Sequence, residues 1–188
     1  MSERPFTLAV IVGSTREGRF APVVTNWFTE HAGRRDDLVV DVIDLDEIRP
    51  YELRYGSEEM ASYAKRVGAA DAFVVITPEY NHSFPAPLKH AVDLLREQWQ
   101  AKPVGFVSYG GVSGGLRAVE QLRLVFAELH ATTVRETVSF AMAGGLFDGE
   151  GRLREPADAD RAATVLLDQL AWWAQALREA REARPYAG

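Results

Sequence analysis

The chain of 188 residues contains no cysteine, which excludes disulfide scaffolds, thiolate metal sites and thiol redox catalysis. Lysine is scarce: Lys65, Lys89 and Lys102 are the only ones, and arginine carries the rest of the positive charge. Acid outweighs base, 27 Asp+Glu against 21 Lys+Arg, for a formal net charge of −6. A broad basic face for nucleic acid is therefore not expected, nor attraction to anionic lipid. No apolar run approaches the ~18 residues of a membrane span, and the first, Phe6–Val12, stops at Gly13-Ser14. The start lacks the longer apolar core and small-residue cleavage site of a signal peptide, so a cytoplasmic protein is expected. His31, His82, His90 and His130 show no metal-ligand spacing, and no metal site is expected. Internal repeats, low-complexity tracts and dividing linkers are missing too, so residues 1–188 read as a single domain.

What is present is a regular alternation. Apolar runs with strand signals lie at Phe6–Val12, Leu38–Ile43, Ala72–Thr77, Val104–Ser108 and Thr132–Phe140. The first, third and fourth are continuous, as strands covered on both faces should be. Helical spacing fills the intervals at about Phe20–His31, Glu58–Ala69, Ala86–Gln98, Gly114–Leu129 and Asp158–Arg181. Strict βα alternation predicts an α/β, doubly wound parallel sheet. Five such units suit the flavodoxin-like three-layer sandwich, a five-stranded parallel sheet of order 2-1-3-4-5. Its ligand crevice lies at the carboxyl ends of the strands, where the order reverses between the first and third.

The loops at that end carry the unusual chemistry. After the first strand comes Gly13-Ser14-Thr15-Arg16-Glu17-Gly18-Arg19, opening a helix. Its glycines expose N–H groups, Ser14 and Thr15 add hydroxyls, and Arg16 and Arg19 offer charge-assisted bonds to an anion. A plain capped turn needs only the small residues, and two arginines at the positive end of a helix are unfavourable without an anion. A phosphate cradle is thus favoured. The glycine spacing is that of a Walker A loop, but Arg19 and Phe20 stand where its Lys and Ser/Thr belong, which excludes a P-loop NTPase.

After the third strand, Thr77-Pro78-Glu79-Tyr80-Asn81-His82-Ser83-Phe84-Pro85-Ala86-Pro87 is stiffened by three prolines, and Asn81 tolerates positive φ. Tyr80 and its backbone suit one wall of a slot for a flat ring; the bland alternative is a proline-stopped loop before a helix. After the fourth strand, Ser108-Tyr109-Gly110-Gly111-Val112-Ser113-Gly114-Gly115 permits close backbone approach to a ligand. It also matches the Gly-x-Ser-x-Gly nucleophile elbow of serine hydrolases around Ser113. That mechanism needs an acid and then a histidine further on. His130 is the only histidine there, with Glu120 and Glu128 on the intervening helix, so the hydrolase remains a remote alternative.

Taken together the loops resemble those of the NAD(P)H-dependent FMN reductases, a flavodoxin-like family with quinone, chromate and azo-dye reductases among its members. The resemblance rests on Gly13-Ser14-Thr15-Arg16, on Thr77-Pro78-Glu79-Tyr80-Asn81 with Pro85, Leu88-Lys89 and Asp93, and on the Ser108–Gly115 loop. It implies bound FMN with its phosphate on Ser14, Arg16 and the backbone through Phe20. The isoalloxazine would lie against Pro78, Glu79, Tyr80 and Asn81, and the loop from Ser108 through Gly110 and Gly111 to Ser113 would close the other side. Where many members carry serine and then asparagine, this chain has Arg19 and Ala21; Arg19 restores charge at the phosphate. His82 and His90 replace a common glycine and asparagine.

The resemblance further implies NAD(P)H as cosubstrate, ping-pong transfer to a small-molecule acceptor such as a quinone or flavin, and a homodimer or dimer of dimers. Flavin brings the difficult chemistry, so no catalytic residue is assigned. Alternatives from other classes are a flavodoxin-type FMN electron carrier, against which Arg16 speaks, and a flavin-free signalling domain on the same fold. Lys89 and Asp93 are four apart and suit a simple helix pair. Trp172 and Trp173 lie ~100° apart on the last helix, so one is expected to pack inward and the other to face a partner.

Overall fold

Continuous apolar runs become interior strands. In the computed structural model, which describes residues 4–187, β1 (Phe6–Val12), β3 (Ala72–Pro78) and β4 (Pro103–Tyr109) are buried along almost their whole length. The edge strands β2 (Leu38–Asp44) and β5 (Thr132–Phe140) instead mix buried, half-buried and exposed positions. All pair in parallel, in the order β2-β1-β3-β4-β5. The helices are α1 (Ala21–Ala32), the one-turn α2 (Leu45–Ile48), α3 (Glu58–Ala69), α4 (Ala86–Asp93), α5 (Leu116–Glu128) and α6 (Ala157–Ala183).

Each face of the sheet buries its own core. On one, Val10, Val74 and Val107 pack with Phe28 of α1 and Leu166 and Leu170 of α6. On the other, Ile11, Val75 and Phe106 pack with Tyr63 of α3, Leu88 of α4 and Phe126 of α5. Gly105 lets α6 settle onto β4, since a Cβ there would stand 2.8 Å from Leu166 Cδ1. The three-layer flavodoxin-like sandwich expected from βα alternation is the observed fold. No described helix is long and apolar enough to cross a membrane.

Local chemistry sets the helix ends. Ser57 Oγ accepts from Met60 N at 3.2 Å, with Glu58 and Glu59 in the first turn of α3. At the other end of α3, Lys102 Nζ donates to Val67 O (3.2 Å) and Gly68 O (2.8 Å), adding a donor to the carbonyls of its last turn. Burial, with Arg181 nearby, pulls the Lys102 ammonium down to about 8 against the opposing pull of Asp71. Asp71 takes Thr7 N and faces Arg178 and Arg181, which pins the end of α6 beneath the sheet.

Two boundaries differ from the periodicity. α4 stops at Asp93 instead of running to Gln98, because the chain turns to bury Leu95 and Trp99, and the Trp99 indole N–H takes the Val92 carbonyl at 3.1 Å. The α2 turn is too short to announce itself by spacing; Asp44 caps it by accepting from Asp46 N at 3.0 Å.

Candidate functional site

The β1–α1 loop is drawn tightly over the switch between β1 and β3. Gly13 N donates to Ile76 O at 2.9 Å, and a Cβ at Gly13 would stand 2.9 Å from Leu88 Cδ2 and 3.3 Å from Ile76 O, so a side chain here would force α4 and the strand to give way. Ser14 is fully buried, and its hydroxyl is 2.7 Å from the Tyr80 hydroxyl, tying the loops after β1 and β3. Arg16 is exposed, with its guanidinium carbon 5.0 Å above the Tyr80 ring. Phe20 packs its ring against Tyr109 and Phe147, which leaves its backbone as the part that faces the loop.

Arg19 departs from the expectation that it serves as an open anion donor. Its guanidinium grips Asp44 in a bidentate pair at 2.5 and 2.7 Å, lies 3.4 Å from Asp46, and donates to Ser14 O at 2.7 Å. Asp44 ends β2, beside β1 in the sheet, so the arginine clamps the loop to the neighbouring strand. Both partners are largely shielded from solvent, which makes the pair a structural one.

After β3 the chain folds into a tight hairpin. Tyr80 and Ser83 exchange backbone hydrogen bonds at 2.8 and 3.1 Å, and the two residues between them, Asn81 (φ 48°) and His82 (φ 72°), are both left-handed. Asn81 is the residue the sequence marked for positive φ; His82 joins it. The Glu79 side chain is 8% exposed and turns toward the next loop, where its carboxylate receives Ser113 Oγ at 2.6 Å and Arg117 Nη1 at 3.1 Å. Burial opposes its charge, but Ser113 and Arg117 outweigh that and hold the carboxyl below its ordinary range.

The loop after β4 is held from several sides. Ser108 Oγ and Ser139 Oγ both donate to Gly114 O, at 2.8 and 3.0 Å, so the Ser108 side chain props the loop from beneath. Gly110 O and Gly111 O accept from Ala143 N and Met142 N, which ties the loop to the segment after β5. Gly111 and Val112 are exposed at its crest. Ser113 faces a carboxylate, and His130 lies beyond the far end of α5, about 20 Å of helix away. His130 bonds Tyr186 instead, so the hydrolase triad does not assemble.

Tyr109, read from the sequence only as part of the glycine loop and given no role of its own, ends β4 and is a further residue of the site. Its hydroxyl is buried without a hydrogen-bond partner among the described residues. Burial, with Tyr80 close by, pushes the phenol up, and Ser14 and Arg19 pull against it. A buried donor left without a partner costs about 1–3 kcal/mol, and here it stands beside Ser14, Tyr80 and the start of α1. The Ser14, Tyr80 and Tyr109 hydroxyls, the N-terminus of α1 and the exposed Arg16 lie at this end of the sheet, a donor set that suits a phosphate monoester. The residues present therefore fit the phosphate end of FMN. Lys89 and Asp93 simply pair with each other at 2.6 Å, and His90 stacks on Tyr51 with centroids 4.8 Å apart.

The family profile described as NADPH-dependent FMN reductase matches residues 6–145. An NAD(P)H:quinone oxidoreductase of Solanum tuberosum is 35% identical over 174 residues, covering 85% of this chain and 89% of that one. An NAD(P)H-dependent FMN reductase of Schizosaccharomyces pombe is 33% identical over 120 residues, or 57% of this chain; the match spans 60% of that relative's length. Among solved structures, the NAD(P)H:(acceptor) oxidoreductase FerB of Paracoccus denitrificans superposes with a TM-score of 0.70 at 21% identity, covering 90% of this chain and 97% of that one. The profile match extends from β1 through the segment after β5, and so takes in every loop described above. The chain belongs to the NADPH-dependent FMN reductase family.

Proposed function

We propose that this chain binds FMN at the carboxyl ends of β1, β3 and β4 and works as an NAD(P)H:acceptor oxidoreductase on a quinone, flavin or similar small molecule. The observation that carries the reading is the cluster of Ser14, Tyr80 and the Tyr109 hydroxyl, which has no partner among the described residues, at the start of α1 and roofed by Arg16. Ser14, the backbone through Phe20 and Arg16 are assigned to the phosphate. Arg19 acts indirectly, by holding the Ser14 carbonyl and Asp44 in place. Pro78 to Asn81 supply one wall for the ring through their backbone, and Gly110 to Ser113 supply the other. Bound there, FMN would supply the redox chemistry, hydride acceptance from the nicotinamide and electron transfer to the acceptor. The protein's own tasks are to orient the ring, present N–H donors to its polar edge, and leave one face open.

The proposed assembly is a homodimer in the cytoplasm. Val165 and Trp172 stand two turns apart on α6, 41% and 63% exposed, and Trp172 meets Trp173 edge to face at 5.0 Å. An apolar stripe of this kind suits a second copy of the chain. Anaerobic mixing of the FMN-loaded protein with NADPH or NADH tests the activity. Rapid bleaching of the flavin band, reversed by a quinone, is the expected outcome; a flavin that stays oxidised would sink the enzyme in favour of an electron carrier.

A further inference from the structure

The hairpin after β3 and the glycine loop after β4 meet through one carboxylate. Glu79 Oε2 receives both the Ser113 hydroxyl (2.6 Å) and the Arg117 backbone N–H (3.2 Å), while Oε1 receives Arg117 Nη1 (3.1 Å). Its own N–H donates to Tyr109 O at 3.2 Å. α5 follows Gly115 in a left-handed conformation and carries neither a side-chain cap from its own N-cap residue nor an acid in its first turn. Glu79 supplies both from another element.

The grip continues one turn further along α5. Gln121, four residues after Arg117 and so on the same face, donates to His82 O at 2.7 Å and accepts from Ser83 Oγ at 2.6 Å. These contacts hold a turn whose two central residues are left-handed, a conformation that Asn81 tolerates but that strains His82. An ordinary rim ion pair leaves both partners in solvent. Here the Glu79 side chain is 8% exposed, and three donors converge on it.

We infer that Glu79 is a positioning residue: its carboxylate latches the β3 hairpin to the glycine loop and α5, and so sets the two walls of the flavin slot relative to each other. The inference rests on the FMN reading of that slot. It moves Glu79 from a ring contact to a residue that acts through Ser113 and Arg117. Glu79→Gln keeps the shape but puts a donor where donors converge.

Amide hydrogen exchange on the FMN-free chain tests the latch apart from the cofactor. Glu79→Gln is expected to speed exchange in residues 80–83 and 110–115 by about tenfold while β1 and α3 keep their rates, as loss of charge-assisted bonds predicts. FMN affinity, read by quenching of flavin fluorescence, should fall by about tenfold or more. Ser113→Ala is the milder variant if Glu79→Gln folds poorly, and Ser113→Thr should restore the affinity that Ser113→Ala loses. Unchanged exchange in both segments overturns the latch. Faster exchange with unchanged FMN affinity overturns its positioning role. A wild-type chain that takes up no FMN overturns the flavin reading instead, and the exchange rates still decide the latch.

Discussion

Arg16 and Arg19 stand three apart in one loop, and the fold gives them opposite surroundings. Arg19 is locked to Asp44 and Ser14 O, whereas Arg16 lies exposed over the Tyr80 ring. Arg19→Ala should therefore cost about 1–3 kcal/mol of stability, through the stranded Asp44 and the lost loop bond, as urea unfolding would measure. Arg16→Ala should leave stability within about 0.5 kcal/mol and weaken FMN binding about tenfold or more. From the sequence the two arginines look equivalent. Only the pairing of β2 with β1 brings Asp44 beneath one of them, and no local spacing encodes that. Lys102 makes a second residue-scale prediction. Its folded pKa of about 8 lies below the ordinary 10.5, so between those values the unfolded chain binds more protons and stability rises with pH. The rise should reach up to about 3 kcal/mol, and Lys102→Met should flatten it in denaturation curves taken from pH 7 to 10.5.

At the scale of elements, the strands were legible because a buried parallel strand leaves a continuous apolar run, and β1 matches its run residue for residue. α4 was not: its early end depends on the burial of Trp99 against Phe73 and Phe126, contacts made across the fold. The loops of the site were legible as places, because glycine and proline punctuate them, but their partners on α5 and β2 were not. Tyr109 was legible as part of the glycine loop, but nothing in its local sequence singles out the hydroxyl that the end of β4 buries. The glycine loop also shows where a sequence signal has a steric cause. Gly115 has φ 85°, and a Cβ there would lie 2.7 Å from Ser108 Cβ and 2.9 Å from Tyr109 N. Gly115→Ala combines a left-handed strain with a backbone clash and should cost about 2–4 kcal/mol, visible as a lower Tm.

For the whole molecule, the charged and apolar surfaces divide the work. The carboxyl ends of the central strands carry the polar loops, while α6 presents Val165 and Trp172 to solvent along a stripe of its own. If that stripe meets a second copy, Trp172→Glu should shift the mass in light scattering from dimer toward monomer while the fold survives, because the residue is 63% exposed. An unchanged mass would move the interface elsewhere. The central claim, that the cluster at the start of α1 holds a flavin by its phosphate, needs a ligand that differs only there. Titrating the apoprotein with FMN and with riboflavin, followed by flavin fluorescence, makes that comparison. FMN should bind at least about 100-fold more tightly, as several charge-assisted bonds to one phosphate imply. Equal affinities, or no binding of either, would contradict the account.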